Sequence, residues 1–196
     1  AKRAGNEFNF QMQAMMNIQV LDGYEIKKIV TGCPHCFNTL KNEYPELGGN
    51  YEVIHHTQLI QDLIKSEKLT LKGGGGFKGK KITFHDPCYL GRINQTYEAP
   101  RDLLKALDAE LHEMGRCKKN GLCCGAGGAQ MFKEPEKGDK DINVERVEEA
   151  LATKPDIIAT GCPFCKTMIS DGVSHSGKDV PVLDIAEAIV QAGDLS

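Results

Sequence analysis

Eight cysteines in 196 residues fall into a pattern that could do chemistry. Cys33-Pro34-His35-Cys36 and Cys162-Pro163-Phe164-Cys165 are two Cys-Pro-x-Cys pairs, each following Thr-Gly and a short apolar run. Between them stands the doublet Cys123-Cys124, followed by Gly125, and Cys88 ends an Asp-Pro-Cys turn. A Cys-x-x-Cys pair brings two thiolates to one metal centre from a tight turn. If that turn opens a helix, backbone N–H groups favour the anionic sulfur. Adjacent cysteines point in diverging directions, so a doublet suits a multi-iron cluster better than a single tetrahedral ion. Thiolate sets of this kind select zinc or iron–sulfur.

The elements that must position these thiols repeat. Cys33 to Cys162 and Cys36 to Cys165 are both steps of 129 residues, and the same step carries Ile29 onto Ile158 and Val53 onto Val182. Hydrophobic periodicity predicts helices over 7–21, 36–43 and 58–65 and strands over 27–31 and 52–54 in the first copy. The second copy repeats this with helices over 143–153, 165–170 and 185–191 and strands over 156–160 and 180–183. A further strand, 81–85, leads into Cys88. Pro100 reads as the first position of a helix over 101–107, and 111–114 as another strand. Strands alternating with helices imply an α/β fold of two related halves, each a small parallel sheet flanked by helices with cysteines at strand ends.

Residues 1–72 then form the first copy, 73–79 a Gly-rich junction and 80–196 a second, complete copy. Four successive glycines, Gly73 to Gly76, are costly to order and fit a junction. Moving the doublet back by 129 positions lands just before Ala1, so the first copy is expected to be incomplete at its N-terminus.

Composition narrows the class. Hydrophobic residues make up 40% and charged residues 26%, as in an ordinary globular protein. A net charge of -3 argues against a nucleic-acid partner. No apolar run reaches the roughly 18 residues of a membrane span. None of the six histidines has zinc-finger spacing. Cysteines used this way point to metal or redox chemistry in a cytoplasmic setting rather than to a disulfide scaffold.

Cys88, Cys123-Cys124-Gly125 and Cys162-Pro163-Phe164-Cys165, with the segment Asp86-Pro87-Cys88-Tyr89-Leu90-Gly91-Arg92, resemble the CCG cysteine-rich domain. That domain occurs, usually twice, in a subunit of heterodisulfide reductase and in the iron–sulfur subunits of glycolate oxidase, anaerobic glycerol-3-phosphate dehydrogenase and lactate-utilisation complexes. The resemblance implies that Cys88, Cys123, Cys124, Cys162 and Cys165 hold a [4Fe–4S]-type cluster of non-cubane form. Cys33 and Cys36 would be half of a first metal site, with zinc as an alternative occupant. It further implies an iron–sulfur subunit that passes electrons between a flavin-containing partner and a quinone or a thiol/disulfide acceptor, reaching the membrane only through a partner. Other readings stand beside it: a zinc-binding interaction module, reduction of a disulfide at the cluster itself, and a metal-free dithiol oxidoreductase.

The remaining candidates are weaker. Buried structural thiols are the plain alternative for any cysteine. Cys117, between Arg116 and Lys118, falls outside the pattern and reads as a non-ligand thiol with a pKa lowered by its cationic neighbours. The glycines after the doublet, Gly125 to Gly128, let backbone approach an inorganic core; they lack a dinucleotide fingerprint. His55 and Asp184, related by the repeat, read as helix caps. His85 reads either as strand-end chemistry or as a proton donor beside the cluster. His35 could tune the first site. Phe8, Met12, Met15 and Met16 share a helical face that reads as packed.

Overall fold

The computed structural model describes residues 2–71, 74–134 and 137–192. Its elements run α1 (Glu7–Gly23), β1 (Lys28–Thr31), α2 (Pro34–Asn38), β2 (Glu52–His55), α3 (His56–Lys65), β3 (Lys81–His85), α4 (Glu98–Ala106), β4 (Glu110–Leu111), α5 (Ile142–Ala152), β5 (Ile157–Thr160), α6 (Pro163–His175), β6 (Val182–Asp184) and α7 (Ile185–Gln191). All strands pair in parallel, in two sheets of order β1-β2 and β4-β3-β5-β6. The α/β architecture is as the alternating pattern required.

The repeat survives as strand register. Ile29 pairs with Val53 in the first sheet and Ile158 with Val182 in the second, the same pairing moved by 129 positions. The helix starts repeat as well. Cys33 and Cys162 are the N-caps of α2 and α6, each followed by proline at the first helical position, where no N–H is needed. His55 and Asp184 cap α3 and α7 through matching capping boxes with Gln58 and Glu187.

Side-chain alternation sorts the larger sheet's two faces. Ile82, Phe84, Ile157 and Ala159 pack against Leu103 and Leu104 of α4 and Ile185 and Ile189 of α7. On the opposite face Ile158 packs with Val147 of α5, Ile169 of α6 and the sulfurs of Cys124, Cys162 and Cys165. Cysteine therefore serves as core on one face of the sheet, which ties the site to the fold.

Three expectations need correction. The face of α1 bearing Phe8, Met12, Met15 and Met16 is open: Phe8 is 76% and Met16 62% exposed. Its packed face is Ala14 and Ile18, against Tyr44. Helix α4 begins at Glu98, two residues before Pro100, which still lies in the first turn where a missing N–H costs nothing. The strand expected over 111–114 is the two-residue β4, because its pairing with β3 covers only Lys81 and Ile82. The glycine run, of which Gly73 lies outside the described residues, is closely packed where it is described. A Cβ on Gly75, at φ +51°, would sit 1.8 Å from the Ala192 carbonyl oxygen, so backbone packs directly on backbone there.

Candidate metal centre

Three chain segments converge at the C-terminal ends of β3 and β5. After β3 the chain passes through His85, Asp86 and Pro87 to Cys88, then makes a π-helical turn over Tyr89–Ile93. After β5, Gly161 leads to Cys162 at the N-cap of α6, with Cys165 in its first turn. The doublet arrives on a long loop after β4 that is held from both sides. Asp86 accepts the Lys118 backbone N–H at 2.7 Å, and the Arg92 guanidinium donates to the Gly121 carbonyl. Asp86 is itself fixed by Arg101, whose guanidinium donates to it at 2.8 and 2.9 Å and to Glu113 at 2.6 and 3.0 Å. The loop's placement thus depends on one buried ion network.

The thiols act on one another in a line. Cys123 accepts the Gly125 N–H at 3.3 Å, and Cys124 and Cys88 set its acidity. Cys165 responds likewise to Cys124 and Cys162, and Cys33 to Cys36. His35 responds to both Cys162 and Cys33, and its ring lies edge-on to Phe164 with centroids 5.7 Å apart. The two Cys-Pro-x-Cys turns therefore meet across the halves through the histidine of the first. The sequence could suggest a tuning role for His35 at its own pair, but not this bridge, which needs two turns 129 residues apart to face each other.

Hydrogen bonding alternates the acidity along the line. The Cys124 thiol, then that of Cys88, holds Cys123 far below the ordinary thiol range. The Cys165 thiol lowers Cys162 to about 6, against burial and with help from His35. Cys36 lowers Cys33 to about 4, again with His35 assisting. The donors move the other way: Cys88, Cys165 and Cys36 are raised, and Cys124 is pushed up to about 12 by its bond to Cys123. His35, between two thiolates, is raised to about 9. The α6 N-terminus supports the anionic form of Cys162.

Cys117 stands apart. Burial raises its pKa, with Glu113 and Asp86 adding to the effect beyond what Arg101 and Lys118 offset, so the lowered value expected from its sequence neighbours is reversed.

Two arginines carry parts of the site that the sequence did not reveal. One is Arg101, which holds Asp86. The other is Arg146 of α5, fully buried, which donates to His85 Nδ1 at 2.9 Å, to Glu149 at 2.8 Å and to the Arg116 carbonyl at 2.8 Å. A buried arginine inside an otherwise apolar helix face is the one sequence signal that could have pointed to it.

A soft metal group fits this donor set. A ring nitrogen of His85 and the sulfurs of Cys124 and Cys165 lie within 4.8 Å of one another, all buried. Metal binding needs thiolates, and the alternation already favours them at Cys123, Cys162 and Cys33. Beside the line lies a cavity of about 350 Å³ bounded by Arg3, His35, Tyr89, Phe164, Phe132 and the glycine-rich backbone after the doublet.

The fold and the site define a thiolate-rich α/β domain with two copies of one cysteine-bearing unit. The chain belongs to the cysteine-rich (CCG) domain family, whose profile matches residues 1–41 and 82–170. It is 45% identical to the probable iron-sulfur-binding oxidoreductase FadF of Bacillus subtilis, over 97% of this chain and 27% of that protein. It is 42% identical to the EtfAB:quinone oxidoreductase of Syntrophomonas wolfei, over 98% of this chain and 28% of that protein. A subunit of the dihydromethanophenazine:CoB--CoM heterodisulfide reductase from Methanosarcina barkeri is 37% identical over 93% of this chain and 45% of its own length. The chain therefore spans less than half of each of these relatives. Among the described residues no helix is long and apolar enough to cross a membrane.

Proposed function

We propose that this chain is the iron–sulfur electron-transfer part of an oxidoreductase. It would pass electrons between a flavoprotein and a quinone or a thiol/disulfide acceptor. Cys88, Cys123, Cys124, Cys162 and Cys165 would hold a [4Fe–4S]-type cluster. The observation that carries this reading is that Cys124 and Cys165, from separate segments, lie buried within 4.8 Å of each other and of a His85 ring nitrogen, with Cys162 in the same packed cluster. The names of the FadF and EtfAB:quinone relatives support the redox role and the quinone acceptor. Such a cluster supplies one-electron chemistry when bound. The chain's own contribution is to fix the thiolates, shield them behind the packed faces of α5 and α6, and present N–H donors to the sulfurs.

The cavity beside His35, with its aromatic walls and one arginine, supports a small-molecule acceptor approaching the thiols directly. That observation favours disulfide reduction at the centre as the second reading. Residues 1–72 and 80–196 would form two copies of one plan, with Cys33 and Cys36 as a flanking pair that holds zinc or stays outside the cluster.

Cysteine-to-serine variants purified without oxygen test the ligand set. Iron should fall to near background in Cys124→Ser and Cys165→Ser, and stay at the parent level in Cys117→Ser and in the double variant Cys33→Ser/Cys36→Ser. Full iron retention in Cys124→Ser and Cys165→Ser would exclude the proposed site.

A further inference from the structure

The His85 imidazole has one nitrogen accounted for and one left over. Its Nδ1 receives a hydrogen bond from Arg146 Nε at 2.9 Å, and its Nε2 is buried with no partner. The residue is 1% exposed, so bulk water does not reach that nitrogen. Because β3 alternates, His85 lies on the sheet face that carries Ile158 and the cysteine sulfurs, opposite Ile82 and Phe84. A guanidinium can only donate, so Nδ1 must present its lone pair, and the ring proton of the neutral imidazole must sit on Nε2. A ring nitrogen of His85 lies within 4.8 Å of the Cys124 and Cys165 sulfurs, and Nε2, which has no other partner, is the nitrogen free to donate there.

We propose that His85 donates an Nε2–H hydrogen bond to the sulfurs of Cys124 and Cys165 in the cluster-bound protein, and that Arg146 sets this role by holding the imidazole tautomer. This rests on the cluster reading. The alternative is that His85 is itself a metal ligand through Nε2, and the geometry argues against it. A ligating histidine keeps its other nitrogen protonated and donates that proton to a carboxylate, carbonyl or water. Here the other nitrogen faces a cation's N–H. Arg146 is anchored in turn by Glu149, which accepts the Arg116 backbone N–H at 2.5 Å. The donor's aim is thus fixed from α5, which Arg146 and Glu149 tie to Arg116 on the loop that carries the doublet. An N–H directed at cluster sulfur withdraws charge from it and favours the reduced state, so His85 raises the reduction potential.

Two measurements separate this proposal from the reading it rests on. In metal-free protein, long-range proton–nitrogen correlation spectra should show His85 protonated on Nε2, and that tautomer should be lost in Arg146→Met. A protonated Nδ1 in the parent chain overturns the proposal whatever metal the protein binds. In anaerobically reconstituted protein, His85→Leu should keep its full iron content and show a more negative midpoint potential in an EPR-monitored titration. His85→Gln, which keeps an N–H near the Nε2 position, should recover most of the shift. Loss of iron in both variants would make His85 a ligand, and an unchanged potential with full iron would leave it without the proposed role; either result overturns the proposal. If the parent chain binds no iron at all, the cluster reading fails and the tautomer measurement still decides the geometry.

Discussion

At the scale of single residues, His55 and Asp184 show how one position serves two chemistries. Both cap a helix, and both do so in a box with the residue three further on. The histidine version adds a titration. His55 is fully buried, lying where a Cβ on Gly161 would come 3.5 Å from its ring, and burial lowers its pKa to about 3, helped by the neighbouring His56. A histidine whose folded pKa is depressed contributes stability above its unfolded value of about 6.5, and loses it as pH falls toward the folded value. Thermal midpoints should therefore drop between about pH 6.5 and pH 4, and His55→Asn, which keeps a capping oxygen, should flatten that slope. A slope unchanged in His55→Asn would assign the acid sensitivity elsewhere. Arg101 carries a larger load. Among the described residues its guanidinium, 3% exposed, is the side-chain cation paired with the equally buried Asp86. Arg101→Met should cost on the order of 3–5 kcal/mol by denaturant unfolding, because it leaves a carboxylate uncompensated in the interior. It should also loosen the loop that delivers the doublet.

At the scale of elements, the strands of the repeat and the caps at His55 and Asp184 were legible in the sequence because they depend on local pattern. The step of 129 residues conveyed not only which elements correspond but their register, since Ile29 with Val53 and Ile158 with Val182 are aligned residue for residue. Helix ends were less legible. Helix α6 runs on to His175, and α2 passes into a π-helical turn over Thr39–Glu43, because tertiary packing decides where a helix stops. The α1 stripe was misread for a related reason. Periodicity says that Phe8, Met12, Met15 and Met16 share a face, but not whether anything covers it. The side of α1 that is buried carries the small Ala14 and the single Ile18. Replacing Met12 and Met16 with serine should change the unfolding free energy by no more than about 0.5 kcal/mol each, as surface substitutions do. Ile18→Ala should cost more, about 2 kcal/mol, by removing a side chain from the cluster around Tyr44. Equal costs in the two sets would mean that the methionine face is covered in solution.

At the scale of the whole molecule, the centre is a property of two halves rather than one. The first pair reaches the second through His35, and His56 at the start of α3 meets Asp184 at the start of α7 at 2.9 Å. The cysteine pattern itself was legible in the sequence, because its types and spacing are unusual enough to stand out from any core. Its support was not. Arg101, Arg146 and the bridging His35 look ordinary in sequence and acquire a role only when distant segments fold together. Everything proposed for this assembly depends on its holding an iron–sulfur cluster. An assay of iron and acid-labile sulfide on the chain produced and purified without oxygen, with its visible and EPR spectra, decides that point. The expected result is a brown protein with about four iron and four sulfide per chain and a redox-active paramagnetic signal. A colourless protein holding only zinc, prepared with the same exclusion of oxygen, would contradict the cluster assignment.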